Sequence, residues 1–284
     1  MAKITMNDLL EAGCHFGHQT RRWNPRMKKY VYGAKSGISI IDLSKTMHQL
    51  ASACNFLQSV VVKGGDILFV GTKRQASDII AELAEKTGMY SVSERWLGGT
   101  LTNNVTIRKS ITKMQEIDEK INSEAAASMK KKELSLLQRE AEKLHRNLDG
   151  ICEMKRLPAA LVIVDVCHEA NAVREANKLN IPIVALVDTD GDPSQIDYPV
   201  AANDDAVKSI QIIPVSSAMP FWPPRKSIRS AWSKKRQPRA PLKRPPLILL
   251  KPLLRLKTSR NAPASPVLPR PPLKKLLRLS PLKS

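Results

Sequence analysis

Cysteine is scarce, at four in 284 residues, and aromatic side chains make up only 4% of the chain. Cys14, Cys54, Cys152 and Cys167 are irregularly spaced and form no CxxC pair, which argues against a disulfide framework or a thiolate zinc site and predicts reduced thiols. No apolar run approaches the roughly 18 residues needed to cross a bilayer, and residues 1–11 lack the charged-then-apolar pattern of an export signal. A soluble, cytoplasmic chain without a membrane partner is therefore expected. Neither GxxxxGK[ST] nor GxGxxG occurs, and no nucleophile elbow or Ser/His/Asp pattern is present. His15, His18 and His168 also lack the i, i+4 spacing of a helical zinc pair. Catalysis has no sharp support, and a non-enzymatic protein is expected.

Acidic residues are missing from one whole region. Residues 214–284 carry 18 of the 46 Lys and Arg, 15 of the 20 prolines, and no Asp, Glu or Gly. Residues 1–213 therefore balance 28 basic against 26 acidic side chains, so nearly all of the net charge of +20 belongs to the tail. Such a composition cannot bury a core and predicts a disordered basic extension.

Strands and helices alternate in the remainder. Asn7 is expected to cap a short helix, and residues 14–27 read as a loop because they follow no sustained period. Tyr30-Val31-Tyr32 and Ile38-Ser39-Ile40-Ile41 flank a Gly-bounded turn and predict a β-hairpin, followed by a helix over 45–62. Continuous apolar runs at 66–71, 159–165 and 183–188 are of the kind buried on both faces of a parallel sheet, and helical segments follow at 74–86 and 169–179. The expected fold is three-layer α/β with a mostly parallel sheet, formed by residues 1–101 and 151–213.

Between these parts, residues 102–149 contain no Pro or Gly. Ile107, Ile111, Met114, Ile117 and Ile121 form one heptad-like seam, and Leu134, Leu137, Ala141, Leu144 and Leu148 form another. Residues 102–150 are expected to fold back as a protruding antiparallel coiled-coil hairpin; the plainer alternative is two amphipathic helices packed on the sheet.

Residues 14–30 hold five cations, two histidines and three aromatics without an acid. Cations neutralise phosphates while aromatic and guanidinium planes stack on unpaired bases, the physical recipe for RNA contact. The RNA-facing set is His15, His18, Gln19, Arg21, Arg22, Trp23, Asn24, Arg26, Lys28 and Lys29, with core anchoring an even alternative for Phe16 and Trp23. Thr72-Lys73-Arg74 follows a strand at a helix N-terminus and predicts a phosphate contact. Arg95-Trp96 leads through Gly98-Gly99 to Asn103, where contact and architecture weigh equally. Asp165, Asp188, Asp190, Asp204 and Asp205 fall at or beyond strand ends, where carboxylates could hold a divalent cation or simply cap and terminate elements.

The order His15-Phe16-Gly17-His18-Gln19-Thr20, Trp23-Asn24-Pro25, Phe69-Val70-Gly71-Thr72-Lys73-Arg74, Arg95-Trp96-Leu97-Gly98-Gly99, Ile181-Pro182 and Asn203-Asp204-Asp205-Ala206 resembles the bacterial form of small-subunit ribosomal protein two over residues 1–213. The resemblance implies a flavodoxin-like domain with a coiled-coil hairpin, contact with small-subunit ribosomal RNA, and docking of ribosomal protein one and other neighbouring proteins. It maps the family's RNA-facing loop onto residues 15–29, its strand-end basic element onto Thr72 to Arg74, and its entry to the arm onto 95–103. No cofactor is required by it; a divalent cation near Asp188, Asp204 and Asp205 is a weaker extension. A phosphate-binding α/β enzyme and a basic membrane-surface binder are the rival readings.

The resemblance breaks at the tail. The family's closing helix, opened by Asp204-Asp205, is expected here to stop at Pro214, which suggests a shifted reading frame. With the synonymous codons TCG GCG ATG CCA TTC TGG CCG CCG AGA AAG for residues 217–226, the overlapping frame reads Gly-Asp-Ala-Ile-Leu-Ala-Ala-Glu-Lys, a good helix former. A genuine basic extension is the alternative.

Overall fold

The computed structural model describes residues 4–123 and 129–218, with the backbone alone for 213–218. The expectations for the tail beyond Ala218 and for the polar break between the two long helices lie outside the described residues.

The first helix, α1 (Met6–Glu11), is capped by Thr5 rather than Asn7. The Thr5 side chain accepts from Asp8 N, and Asp8 Oδ2 accepts from Thr5 N, a reciprocal box that Asn7 cannot form without an acid three residues on. Residues 14–30 are more ordered than a loop: they contain β1 (Phe16–Gln19) and two 3-10 turns, Thr20–Arg22 and Pro25–Lys29. The expected hairpin forms from β2 (Val31–Lys35) and β3 (Ile38–Ile41). With β1 it makes an antiparallel sheet of order β1-β3-β2. Then α2 (Leu43–Val62) begins at Asp42, whose side chain accepts from Ser44 N at 3.1 Å.

The larger sheet comprises β4 (Ile67–Val70), β5 (Tyr90–Val92), β6 (Ala160–Val164), β7 (Ile183–Val187) and β8 (Tyr198–Ala201). All its pairings are parallel, in the order β5-β4-β6-β7-β8. Counted along the chain this is 2-1-3-4-5, consistent with a flavodoxin-like doubly wound sheet. Side chains alternate between two cores. Ile67, Phe69, Val162, Val164, Val184 and Leu186 pack with α1, α2, α3 (Arg74–Thr87) and α7 (Val207–Ala218). Leu68, Val70, Leu161, Ile163, Ile183, Ala185 and Val187 pack with α6 (Ala170–Lys178) and with the buried faces of α4 (Asn104–Asn122) and α5 (Lys131–Leu148). The apolar runs are continuous because both strand faces are covered.

The two long helices α4 and α5 contact each other. Lys113 Nζ meets Glu140 Oε1 at 2.5 Å, and His145 of α5 reaches Asp118 of α4. Ile107, Ile111, Met114 and Ile117 of the first seam are buried, as are Ala141 and Leu148 of the second.

Besides β1, sequence reasoning missed two strands of the larger sheet. Three-residue β5 is too short to carry a period, and β8 contains Pro199, which is tolerated because β8 is an edge strand. The helix opened after Asp205 does not stop at Pro214, since α7 runs to Ala218. Pro214 gives up its own N–H bond and its ring crowds the carbonyl four residues back, yet the backbone stays helical to Ala218.

Candidate nucleic-acid interface and the carboxyl edge of the sheet

The basic segment is tied to the loop after β7. His18 N donates to Thr189 Oγ1 at 2.9 Å, Asn24 N donates to Thr189 O at 2.8 Å, and Arg26 reaches Asp192 and Ser194. Gly17 permits this approach, because a Cβ there would stand 2.5 Å from the Thr189 side chain. Met27 is fully buried and anchors the second 3-10 turn, which Asn24 caps through a 3.0 Å bond from Arg26 N. The segment is thus rigidly seated, with its cations outward. Gln19, Arg21, Arg22, Arg26, Lys28 and Lys29 are exposed. Among the described residues Arg21, Arg22 and Lys28 make no ion pair, whereas Arg26 is neutralised by Asp192.

The aromatics divide. Phe16 is exposed and tilts against half-buried His15, with ring centroids 4.0 Å apart. Trp23 is half-buried in the second core, and its indole N–H has no hydrogen-bond partner among the described residues. Tyr32 of β2, on the same small sheet as Phe16, is 81% exposed; sequence reasoning used it only as a strand former.

At Thr72-Lys73-Arg74 the structure places carboxylates of the chain itself. Thr72 N donates to Glu169 Oε1 at 2.9 Å, and the Thr72 hydroxyl uses the same carboxylate. A carboxylate of the chain itself thus sits just before the N-cap, Lys73. Lys73 Nζ lies 2.6 Å from Asp205, 2.9 Å from Asp204 and 3.3 Å from Asp165. Phosphate would have to enter a ring of carboxylates. Only Arg74 of the three is exposed to solvent.

Trp96 also faces the chain's own groups. It is buried, and its Nε1–H donates to Glu175 Oε1 at 3.0 Å. The same carboxylate accepts from the backbone N–H groups of Gly99, Leu101 and Thr102 and from the Thr102 hydroxyl. Although burial opposes the charge, these donors hold the Glu175 carboxyl below its usual range. Architecture wins for the Gly-Gly turn, while Arg95 and Asn103 stay exposed. Glu169 and Glu175 were invisible in sequence because their partners lie far along the chain.

At the carboxyl edge, Asp165, Asp188, Asp190, Asp204 and Asp205 converge as anticipated, but around two cations. His18 Nδ1 stands 2.9 Å from Asp188 Oδ2, and its Nε2 stands 3.6 Å from Asp205 and 3.9 Å from Asp190. The neighbouring Asp188 carboxylate outweighs burial and pushes His18 up to about 9. Burial, with Asp165 nearby, pushes Asp204 up to about 7, while Lys73 holds exposed Asp205 below its ordinary value. Burial opposes the Lys73 charge, yet Asp205 and Asp204 raise its pKa. The arrangement lacks a nucleophile poised beside a base; what it offers is oxygen and imidazole donors.

The sequence profile of the family described as Ribosomal protein S2 matches residues 9–218. Small ribosomal subunit protein uS2 of Acidobacterium capsulatum is 52% identical over 212 residues, covering 75% of this chain and 70% of that protein. The uS2 of Koribacter versatilis is 50% identical over 212 residues, with the same two coverages, 75% and 70%. That of Syntrophobacter fumaroxidans is 51% identical over 213 residues, 75% of this chain and 78% of its own length. Because the profile spans well over half of the sequence and the identities are this high, the chain belongs to the ribosomal protein S2 family.

Proposed function

We propose that the chain binds small-subunit ribosomal RNA through the exposed cations of its basic segment, chiefly Arg21, Arg22 and Lys28, supported by Lys29, Arg74 and Arg95. As a member of this family it is a structural constituent of the small ribosomal subunit, binding ribosomal RNA and neighbouring ribosomal proteins, and is not an enzyme. The observation that carries the RNA reading is the segment's anchoring. Thr189, Met27 and Asn24 hold its backbone while Arg21, Arg22 and Lys28 remain exposed and without an ion pair among the described residues. A fixed array of cations can read RNA shape, whereas a mobile one supplies affinity without address. Phe16 and Tyr32 add exposed stacking faces on the same small sheet.

The α4/α5 pair serves as a coiled-coil hairpin arm, and the arm and sheet edge dock ribosomal protein one and other neighbours in the cytoplasm. Support for the arm comes from the two seams and the Lys113–Glu140 pair between the helices.

Gradient sedimentation of a lysate containing the tagged full chain tests the RNA reading. Comigration with small subunits should survive a high-salt wash, and R21E/R22E/K28E should abolish it while leaving the thermal midpoint unchanged. Salt-sensitive comigration that the triple variant retains would refute the assignment and point to the tail.

A further inference from the structure

We propose that the cleft between α1, α3 and α7 is a docking site for the chain's own Phe221-Trp222, folding back from the end of α7. The cleft has a volume of about 510 Å³. Its floor is apolar, built from Ile4, Ile79, Leu83 and Ile212 at the margin of the first core. Ile79, Glu82, Leu83 and Lys86 stand at i, i+3, i+4 and i+7, so one continuous stripe of α3 lines it. An apolar cavity of about 150 Å³ already takes a benzene ring, which leaves room here for two aromatic side chains.

The route of the chain singles out this occupant. Helix α7 lends Gln211 and Ile212 to the cleft wall and runs to Ala218, after which the sequence continues Met219-Pro220-Phe221-Trp222-Pro223-Pro224-Arg225-Lys226. Three prolines in those eight residues oppose a straight continuation of the helix. From Ile212 to Ala218 the helix rises about 9 Å, and the four residues to Trp222 can span about 13 Å, so a chain that turns back brings the aromatic pair level with Ile212. Because the segment is covalently attached, a contact too weak to hold a separate peptide suffices.

Charge agrees with the same occupant. Of the rim residues, Lys86 pairs with Glu82 at 2.5 Å, and Asp8 has no cation beside it among the described residues. Arg225 and Lys226 follow Trp222 by three and four residues, and residues 214–284 contain no acid that the rim would repel.

NMR of the full chain, with Ile and Leu methyl groups labelled, tests the assignment. The Trp222 indole should give cross-peaks to the Ile79, Leu83 and Ile212 methyls, and Trp222→Ala should remove them. Burying one indole takes roughly 150–250 Å² out of water, so Trp222→Ala should lower the thermal midpoint by about 5 °C, whereas Trp232→Ala leaves it unchanged. In an Ile79→Asn background, Trp222→Ala should lower it no further, because the two side chains share one contact. Absence of the Trp222 cross-peaks, or equal midpoints for wild type and Trp222→Ala, would overturn the proposal. So would cross-peaks from Met1 to Leu83, which give the cleft to the amino-terminal residues, or cross-peaks between differently labelled chains, which give it to a second copy.

Discussion

Glu175 shows how one carboxylate decides between two readings of a motif. Arg95, Trp96 and the glycines were as consistent with contact as with architecture, and the deciding acid stands 73 or more residues away in sequence. Nothing local could have revealed it. Glu175→Gln keeps the shape but replaces one accepting oxygen by an N–H2 group facing backbone donors. It should cost about 2 kcal/mol, read as a lower thermal midpoint near neutral pH. Its folded-state pKa is depressed, so the stabilisation is complete above the ordinary value of 4.5 and is lost as pH falls through the lower, folded value. The deficit of the variant should accordingly shrink in acid; a deficit that is constant with pH would show that charge has no part in the knot. Lys73 teaches the same lesson in reverse. Its place after a strand and before a helix suggested phosphate, but three aspartates from later loops surround it.

At the level of elements, legibility followed burial. Strands β4, β6 and β7 were plain because both faces are covered and every residue is apolar. β1, with a polar and half-exposed sequence, has no such signature, and its existence depends on pairing with β3 and on Thr189. The α4 and α5 seams were legible from spacing, whereas the polar latch between the helices was not. His145 on α5 places Nδ1 2.7 Å from Asp149 Oδ1 and Nε2 2.8 Å from Asp118 Oδ2 on α4. Burial works against its charge, but the two carboxylates raise its pKa above the ordinary 6.5. A raised folded-state value means that the latch contributes fully below 6.5 and fades as pH climbs through the folded value. The midpoint difference between the wild type and His145→Gln should therefore be larger at about pH 6 than at about pH 9. An equal difference at both would assign the loss to packing alone.

Across the whole molecule, charge and homology divide the chain at nearly the same place. The family match ends at residue 218, and all 18 cations of the acid-free region follow it. The net charge of +20 is thus a poor guide to the folded part, whose basic segment carries a few outward cations on an otherwise balanced domain. Since α7 reaches Ala218 and buries Ile210 against α2 and α3, the departure falls inside the closing helix rather than before it. A shifted frame would account for that location, because with the synonymous codons chosen above the overlapping reading of residues 217–226 is helix-forming where this chain has three prolines. The gene should then show, near codon 217, that a one-base correction opens a frame continuing the helix. A chain made from the corrected frame should melt several degrees higher than this one, since a longer α7 buries more apolar surface. If no corrected frame encodes a helix, or if the two chains melt together, the basic tail is a genuine extension. Its 18 cations would then add steep, salt-sensitive RNA affinity to that of the site proposed at the basic segment.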